Sequence, residues 1–316
     1  MNDWMGENAG VDYLLGEYKG KNVIKTEKLF FNGVGNKDVY NITSPFRING
    51  IDHIAGRVES RESETDSKTM FFVRENGDQG SKNYILDKNA QILDLQDPFF
   101  CATNDEIVLG GVELFFDKGK LNYRTRFYKG PDLSRLESFA CGPDGMKDIR
   151  LISIRDEICI FTRPQGPIGG RGRIGFMTIG SIDYLPRLKA EQYLSAPLLN
   201  NEIDREAWLG ANQILLLKNG TLGVLGHIAH FSEGSKKNYY PIAFQFNAQT
   251  KKASKMEVIA RAQDLPGGNP KRKELANVLY PGGLARLGNG EAKLYAGARD
   301  SEAYEITIKD PFLKYE

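Results

Sequence analysis

Apolar residues in this chain gather in short runs and do not recur at the three-to-four spacing of a helix face. Ile214-Leu215-Leu216-Leu217 and Ile158-Cys159-Ile160-Phe161 are nearly continuous apolar stretches of strand length, the pattern of strands covered on both faces. Such runs flank a tight turn in five similar segments. These are Ser44-Pro45-Phe46 through Arg57, Asp97-Pro98-Phe99 through Glu113, Lys147-Asp148 through Arg163, Ala211-Asn212-Gln213 through His227, and Pro281-Gly282-Gly283 through Gly297. The turn pairs are Asn49-Gly50, Asn104-Asp105, Arg155-Asp156, Asn219-Gly220 and Asn289-Gly290. The Asn-Gly pairs predict type I′ hairpins, whose two central residues both need positive φ.

Successive turns lie about 50 to 70 residues apart, which is room for a four-stranded antiparallel sheet and its connections. Five such sheets account for the whole chain, and no Pro/Ser-rich linker divides it. The expected fold is all-β: a five-bladed β-propeller with a central axial pocket, forming one domain over residues 1–316. A large β-sandwich would also use many hairpins but gives no reason for one hairpin type to recur five times. Helix is expected only as a short piece or turn over Pro186 to Tyr193.

Composition narrows the function. Apolar residues make up 41% of the 316 and charged residues 26%, enough apolar material for a folded core. Lys and Arg number 42 against 41 Asp and Glu, a net charge of +1, so the broad positive field of a nucleic-acid or membrane-surface binder is missing. No apolar run reaches the ~18 residues of a membrane span, and Met1-Asn2-Asp3-Trp4 lacks the order of a signal peptide, so the expected location is the cytoplasm. Cys101, Cys141 and Cys159 cannot all pair, and no CxxC or HExxH spacing is present, which points to free thiols and no dedicated metal site.

In a propeller the first strand of each blade lines the axis, and a hairpin returns the chain to the end where it began. Eight residues beyond the first turn residue of each repeat stand Arg57, Val112, Arg163, His227 and Gly297, three of them basic. The starts of the same repeats carry Asn41, Asp97, Lys147 with Asp148, Asn212 with Gln213, and Tyr280. A sheet interior rejects such groups, whereas a polar ligand pocket uses amides and carboxylates for hydroxyls and Arg for oxyanions. Sugar and phosphate are the natural ligands of that set. The plainer reading makes Asn41, Asp97 and Asn212 turn caps, and pairs Arg57 with Glu59 and Arg163 with Asp148 as blade-end salt bridges.

The order of these motifs resembles the furanosidase-like five-bladed propellers, most closely glycoside hydrolase family 130, the β-mannoside phosphorylases and hydrolases. The resemblance covers nearly all five repeats. Leu95-Gln96-Asp97-Pro98-Phe99 is similar to that family's Glu-Asp-Pro-Arg segment, whose Asp is the proton donor. Lys147-Asp148 and Thr162-Arg163 resemble its third-blade Lys-Asp and terminal Arg, and Gly226-His227 its fourth-blade Gly and His. Tyr280-Pro281-Gly282-Gly283, followed by Leu294-Tyr295-Ala296-Gly297-Ala298-Arg299-Asp300, resembles its fifth-blade aromatic-Pro-Gly and Tyr-Tyr-Gly-Ala-x-Asp pattern. Gln96 and Phe99 stand where the phosphorylases have Glu and Arg, and Ile149-Arg150-Leu151 replaces their aromatic third-blade segment. The whole chain is more similar still to a bacterial family of uncharacterised propeller proteins of the same superfamily.

The resemblance implies cleavage of a glycoside with Asp97 as the acid that protonates the departing oxygen. With inorganic phosphate as co-substrate and no other cofactor, Arg57, Lys147, Arg163 and His227 would grip the attacking anion and Tyr280 would add a neutral donor. In the alternative, an inverting hydrolase, Glu59 or Glu113 would serve as base roughly 6.5 to 9.5 Å from the acid, and the arginines would read an acidic or phosphorylated sugar. A non-catalytic carbohydrate binder is the third reading. Asn41, Asp148, Asn212, Gln213 and Asp300 are candidate sugar contacts, and Tyr304, Trp208 and Phe231 candidate stacking surfaces or core aromatics. The partner in each reading is a small carbohydrate, with neither nucleic acid nor membrane, and the sequence leaves the oligomeric state open.

Other motifs carry less. Gly170-Arg171-Gly172-Arg173-Ile174-Gly175 spells GxGxxG, but Phe176-Met177-Thr178-Ile179 reads as a strand and not as the helix that would hold a pyrophosphate. Its arginines are expected either to close over the pocket as a lid or to be solvated. His227 and His230 fall on opposite faces of a strand and make poor co-ligands. Asn41-Ile42-Thr43 and Asn219-Gly220-Thr221 match the glycosylation acceptor by coincidence, and Lys271-Arg272-Lys273-Glu274 reads as a solvated loop.

Overall fold

The structure, a computed structural model, describes residues 10–78, 80–102, 107–201 and 203–316. The turn expected at Asn104-Asp105 and the residues Met1-Asn2-Asp3-Trp4 lie outside the described residues. The chain is mostly β. After a short helix, α1 (Val11–Glu17), and β1 (Val23–Asn32), the strands follow in antiparallel groups. The first group holds β2 (Asp38–Tyr40), β3 (Phe46–Ile48), β4 (Ile51–Glu59), β5 (Lys68–Arg74) and β6 (Asn83–Leu86). The second holds β7 (Gln96–Ala102), β8 (Ile107–Asp117), β9 (Lys120–Gly130) and β10 (Glu137–Cys141). The third holds β11 (Arg150–Ile154), β12 (Glu157–Thr162) and β13 (Gly175–Ile179). The fourth holds β14 (Trp208–Leu216), β15 (Leu222–Ser232) and β16 (Lys236–Asn247), edged by β17 (Lys252–Ala253) and β18 (Glu257–Val258). The last holds β19 (Asn277–Arg286), β20 (Glu291–Ala298) and β21 (Glu302–Lys309).

β1 completes that last group by pairing antiparallel with β21, then runs on beside β6 over Phe30–Asn32. The two ends of the chain are thereby joined in one sheet. Apolar packing repeats the order of the groups. Phe46 and Phe71 of the first meet Leu95 and Leu109 of the second, and Phe99 and Val108 of the second meet Ile149 and Ile160 of the third. Phe161 and Phe176 then meet Phe244 and Phe246, Leu225 meets Leu279 and Leu294, and Tyr295 returns to Ile42 and Phe72 of the first group. The groups thus pack in cyclic order, as stacked sheets buried on both faces must.

Two details differ from the sequence reading. Both residues of Asn49-Gly50 have positive φ, but at the other two Asn-Gly pairs only Gly220 and Gly290 do. There the loops span 217–221 and 287–290, long enough for an ordinary turn closed by left-handed glycine, Gly220 in the first and Gly288 with Gly290 in the second. Helix α1 was not anticipated. Its seven residues bury only Val11 and Leu14, too few to leave a periodic signal, and its first amide donates to Asp204 Oδ2 at 3.0 Å. Over the expected Pro186–Tyr193 stretch, a 3₁₀ turn ending at Arg187 is followed by a helix over Ala190–Leu194. Among the described residues no helix is long and apolar enough to cross a membrane.

β19 reaches the first group only because it carries glycines there. A Cβ on Gly282 would stand 1.7 Å from the Ile42 carbonyl oxygen, and one on Gly283 would stand 2.3 Å from the Ser44 nitrogen. We therefore expect Gly282→Ala to lower stability by about 1–3 kcal/mol, read as a fall in the urea midpoint at unchanged m-value. A wild-type midpoint would contradict this close approach.

Candidate functional site

Polar residues at the starts of the repeats share an unusual backbone conformation and line one cavity. Asn41, Asp97 and Asp148 have φ of 47°, 48° and 61°, and Asp300 in the β20–β21 turn has 52°. This left-handed region suits Asn and Asp, whose short side chains tolerate it. Register slips between Gln96 and Phe99, between Ala211 and Gln213, and between Pro281 and Gly283 mark bulges at equivalent places, each redirecting side chains where regular alternation would bury them. Across the hairpins Tyr40 stands opposite Arg57, Gln96 opposite Val112, Gly210 opposite His227 and Tyr280 opposite Gly297. The eight-residue offset seen in the sequence is this pairing.

Asn41, Arg57, Asp97, Lys147, Asp148, His227, Tyr280 and Asp300 line one cavity of about 320 Å³. Asp97 Oδ1 accepts from Asn41 Nδ2 at 2.7 Å and from Arg57 Nη1 at 3.3 Å. The other arm of Arg57 donates to Glu59 at 2.8 Å. Glu59 is fully buried and also accepts from Tyr40, Ser67 and Lys271. Burial pushes its pKa up, but Arg57 and these donors outweigh it and hold the carboxylate below its ordinary range.

On the other side of the cavity, Asp148 lies 3.2 Å from Arg163 and 3.9 Å from both Arg150 and His227. Burial again opposes ionisation, and the surrounding cations, Arg163 foremost, win, bringing Asp148 down to about 2. His227 behaves in the opposite way. Burial pushes its pKa down to about 3 against the attraction of Asp148, so the imidazole is neutral at physiological pH. Its Nδ1 lies 2.8 Å from Asn212 Oδ1, and its ring sits 5.4 Å from both Tyr239 and Tyr280. Desolvation shifts Asp300 upward from its ordinary value, opposed by Arg57 and assisted by Asp97.

Several expected residues stand elsewhere. Arg163 and Asn212 are buried behind the wall, touching Asp148 and His227, and Glu59 lies behind Arg57. The salt-bridge pairs Arg57–Glu59 and Arg163–Asp148 are both formed, and of the two arginines Arg57 also lines the cavity. Glu113 faces away. Leu114, next to it on β8, lines the cavity, so strand alternation sends Glu113 to the opposite side, where it binds Arg124 and Arg126. Gln213 belongs to a second cavity of about 460 Å³, where its side chain holds Ser44 and the Leu284 amide. Tyr304 is core, its hydroxyl 3.4 Å from Glu302, and Trp208 packs on Phe231. The arginines of the GxGxxG stretch do not form a lid: Arg171 pairs with Glu206, and Arg173 donates to the carbonyls of Asn201 and Ile203. As expected, that stretch runs into a strand, β13.

Sequence reasoning missed Tyr40, Lys237 and Tyr239, all lining the cavity, and the buried Lys271 and Arg150. Lys237 and Tyr239 sit two apart at the start of β16, the strand that pairs with β15 across from His227, and that spacing is the signal that could have found them. Lys271 was read as part of a solvated loop, yet its side chain is only 2% exposed.

A family model described as a protein of unknown function, DUF1861, matches residues 17–314. The chain belongs to this family. Among solved structures it is similar to MPT-4, a mannose phosphorylase from Leishmania mexicana in complex with phosphate ion. That match has 32% identity, 92% of this chain and 90% of the other covered, and a TM-score of 0.82. It is also similar to MPT-1, a GDP-Man-dependent mannosyltransferase from the same organism, at 29% identity, 96% and 95% coverage and a TM-score of 0.83. The β-1,2-mannobiose phosphorylase of Listeria innocua shares the fold at 12% identity, 93% and 95% coverage and a TM-score of 0.59. No curated protein sequence matches. The DUF1861 chain thus shares its fold with mannose-active proteins and with glycosidase-like propellers, in line with the resemblance to glycoside hydrolase family 130.

The neutral His227 sets a pH dependence. Its folded pKa of about 3 lies below its ordinary value of 6.5, so the unfolded chain binds the extra proton between those limits and stability rises with pH through that window. Asp148 adds a slope of the same sign only near and below its ordinary value of 3.8. Urea midpoints between pH 4.5 and 6.5 should therefore fall with acid by up to about 1.4 kcal/mol per pH unit, and His227→Gln should flatten that slope.

Proposed function

We propose that the antiparallel groups are the blades of a five-bladed propeller and that its axial cavity carries out inverting phosphorolysis of a β-mannoside. The observation that supports this is the charge count around the cavity. Arg57, Lys147, Arg150, Arg163, Lys237 and Lys271 face Glu59, Glu64, Asp97, Asp148 and Asp300, which leaves one positive charge in excess. Lys147 and Lys237 have no carboxylate within ion-pair distance among the described residues, and Arg163 Nη1 and Arg57 Nε make no hydrogen bond. Lys147 and Lys237 are half-buried at the cavity wall, and an anion such as hydrogen phosphate would neutralise them there. The phosphate seen with MPT-4 and the mannose named for MPT-4 and MPT-1 favour the same reading.

Lys147 contributes a point charge to the phosphate, with Arg163 held behind it through Asp148. His227, being neutral, contributes a hydrogen bond and no charge. Asn41 and Asp97 meet the sugar hydroxyls and the departing oxygen, and Tyr280 donates its phenol. The hydrolase reading loses both of the bases it relied on, since Glu59 is enclosed by four donors and Glu113 faces outward. Cys101, Cys141 and Cys159 form no disulfide with one another, which fits action in the cytoplasm.

The purified chain, incubated with mannosides with and without phosphate, is expected to release mannose 1-phosphate only when phosphate is present. Asp97→Asn should lower kcat by about 10²–10⁴-fold with an unchanged circular dichroism spectrum. Lys147→Met should raise the KM for phosphate by about tenfold or more. Release of free mannose at equal rates with and without phosphate would remove the phosphorylase reading.

A further inference from the structure

Arg57 divides its guanidinium between carboxylates of two different sheets. Its Nη2 donates to Glu59 Oε1 at 2.8 Å and its Nη1 to Asp97 Oδ1 at 3.3 Å, with the Tyr40 ring centre 5.0 Å from the guanidinium carbon. A guanidinium and a carboxylate pair most favourably through two parallel N–H···O bonds. Glu59 stands two residues along β4 from Arg57, on the same face of the strand and fully buried, yet it takes one arm. Its other oxygen is already occupied. Oε2 accepts from the Tyr40 hydroxyl and the Lys271 ammonium, while Oε1 accepts from Arg57 and the Ser67 hydroxyl.

Lys271 reaches that oxygen from a distant part of the chain, the segment between β18 and β19. Its amide donates to the Arg299 carbonyl at 3.0 Å, and the carbonyl of Asn269 just before it accepts from Ser301 Oγ at 2.8 Å and from Arg61 Nη1 at 3.3 Å. The ammonium also donates to the Ser63 carbonyl. Lys271 itself lies outside the cavity lining. Resting on the phosphorolysis proposed above, we infer that Lys271 is a positioning residue for the acid: by occupying Glu59 Oε2 it limits Arg57 to a single bond with Glu59, and the arm thus released fixes Asp97 against the departing oxygen. Without Lys271, Oε2 keeps only the Tyr40 phenol, and Arg57 closes on both oxygens of Glu59. Asp97 is then held through Asn41 alone, by one bond of 2.7 Å about which its carboxyl can turn.

Crystal structures of the full chain, wild type and Lys271→Met, test this geometry without any substrate. The wild type is expected to show Arg57 shared between Glu59 and Asp97, and the variant to show both Nη atoms on Glu59 with Asp97 beyond hydrogen-bond reach. Arg57 still shared in the variant, or Lys271 away from Glu59 in the wild type, overturns the inference whether or not the chain proves to be a phosphorylase. Kinetics with phosphate then test the role. Lys271→Met should slow β-1,2-mannobiose cleavage about 10- to 100-fold, leave the KM for phosphate within about twofold, and slow a dinitrophenyl β-mannoside, whose leaving group departs unprotonated, less than about threefold. A loosened fold would slow both substrates alike, so equal losses, or no loss on either, overturn the inference. Combining Lys271→Met with Glu59→Gln removes both buried charges and leaves one amide oxygen to accept a single arm of Arg57. This paired variant, which also serves where the single one does not fold, should cleave mannobiose within about fivefold of the wild-type rate, and a larger loss overturns the inference.

Discussion

The pocket is held in shape by a chain of charge that runs from one sheet group to the next. Lys271, from the segment before β19, is buried on Glu59 of β4; Glu59 holds Arg57; Arg57 reaches Asp97 of β7; and Asn41, ahead of the first group's inner hairpin, completes the hold on Asp97. No member is near its ionic partner in sequence except Arg57 and Glu59. The chain exists only when neighbouring groups are packed, so the apolar contacts between sheets and the polar geometry at the axis depend on each other. An isolated pair of this kind contributes little stability, and breaking one member leaves the rest buried and uncompensated. That asymmetry is why the network positions Asp97 firmly without having to stabilise the fold by itself.

The hairpin repeat and the polar starts of the inner strands were legible because both are local. Asn41, Asp97 and Asp148 occupy left-handed backbone that few other residue types tolerate, so their identity and their position reflect one constraint. What was hidden depends on long-range pairing. Nothing in the composition of β1 says that it will pair with β21 and leave the chain ends joined, and nothing near Lys271 says that its ammonium will be buried against a residue more than two hundred positions away. Glu113 failed for a subtler reason. Counting from the turn found the right hairpin, but alternation along β8 gave the cavity to Leu114, and a single residue of register reverses every facing.

The departures from the related phosphorylases also make physical sense together. Gln96 stands where they carry Glu, and its amide donates to the Ser67 hydroxyl, which in turn donates to Glu59. A carboxylate at that point would compete with the buried Glu59 for the single proton of the Ser67 hydroxyl. Phe99 stands where they carry Arg, and Arg150 lies within the segment that is aromatic in them. In this chain those two residues are in contact, the guanidinium of Arg150 lying 4.4 Å from the ring centre of Phe99. A cation and a ring are therefore both kept at the junction of the second and third groups, with the strands that supply them exchanged. From its new origin Arg150 donates to the carbonyls of Asn212 and Ile149 and to the Tyr280 hydroxyl, and lies 3.9 Å from Asp148. It thereby floors the polar cavity and walls the second one behind it. Its positive charge stands beside Asp148, where it helps Arg163 and Lys147 keep that carboxylate ionised.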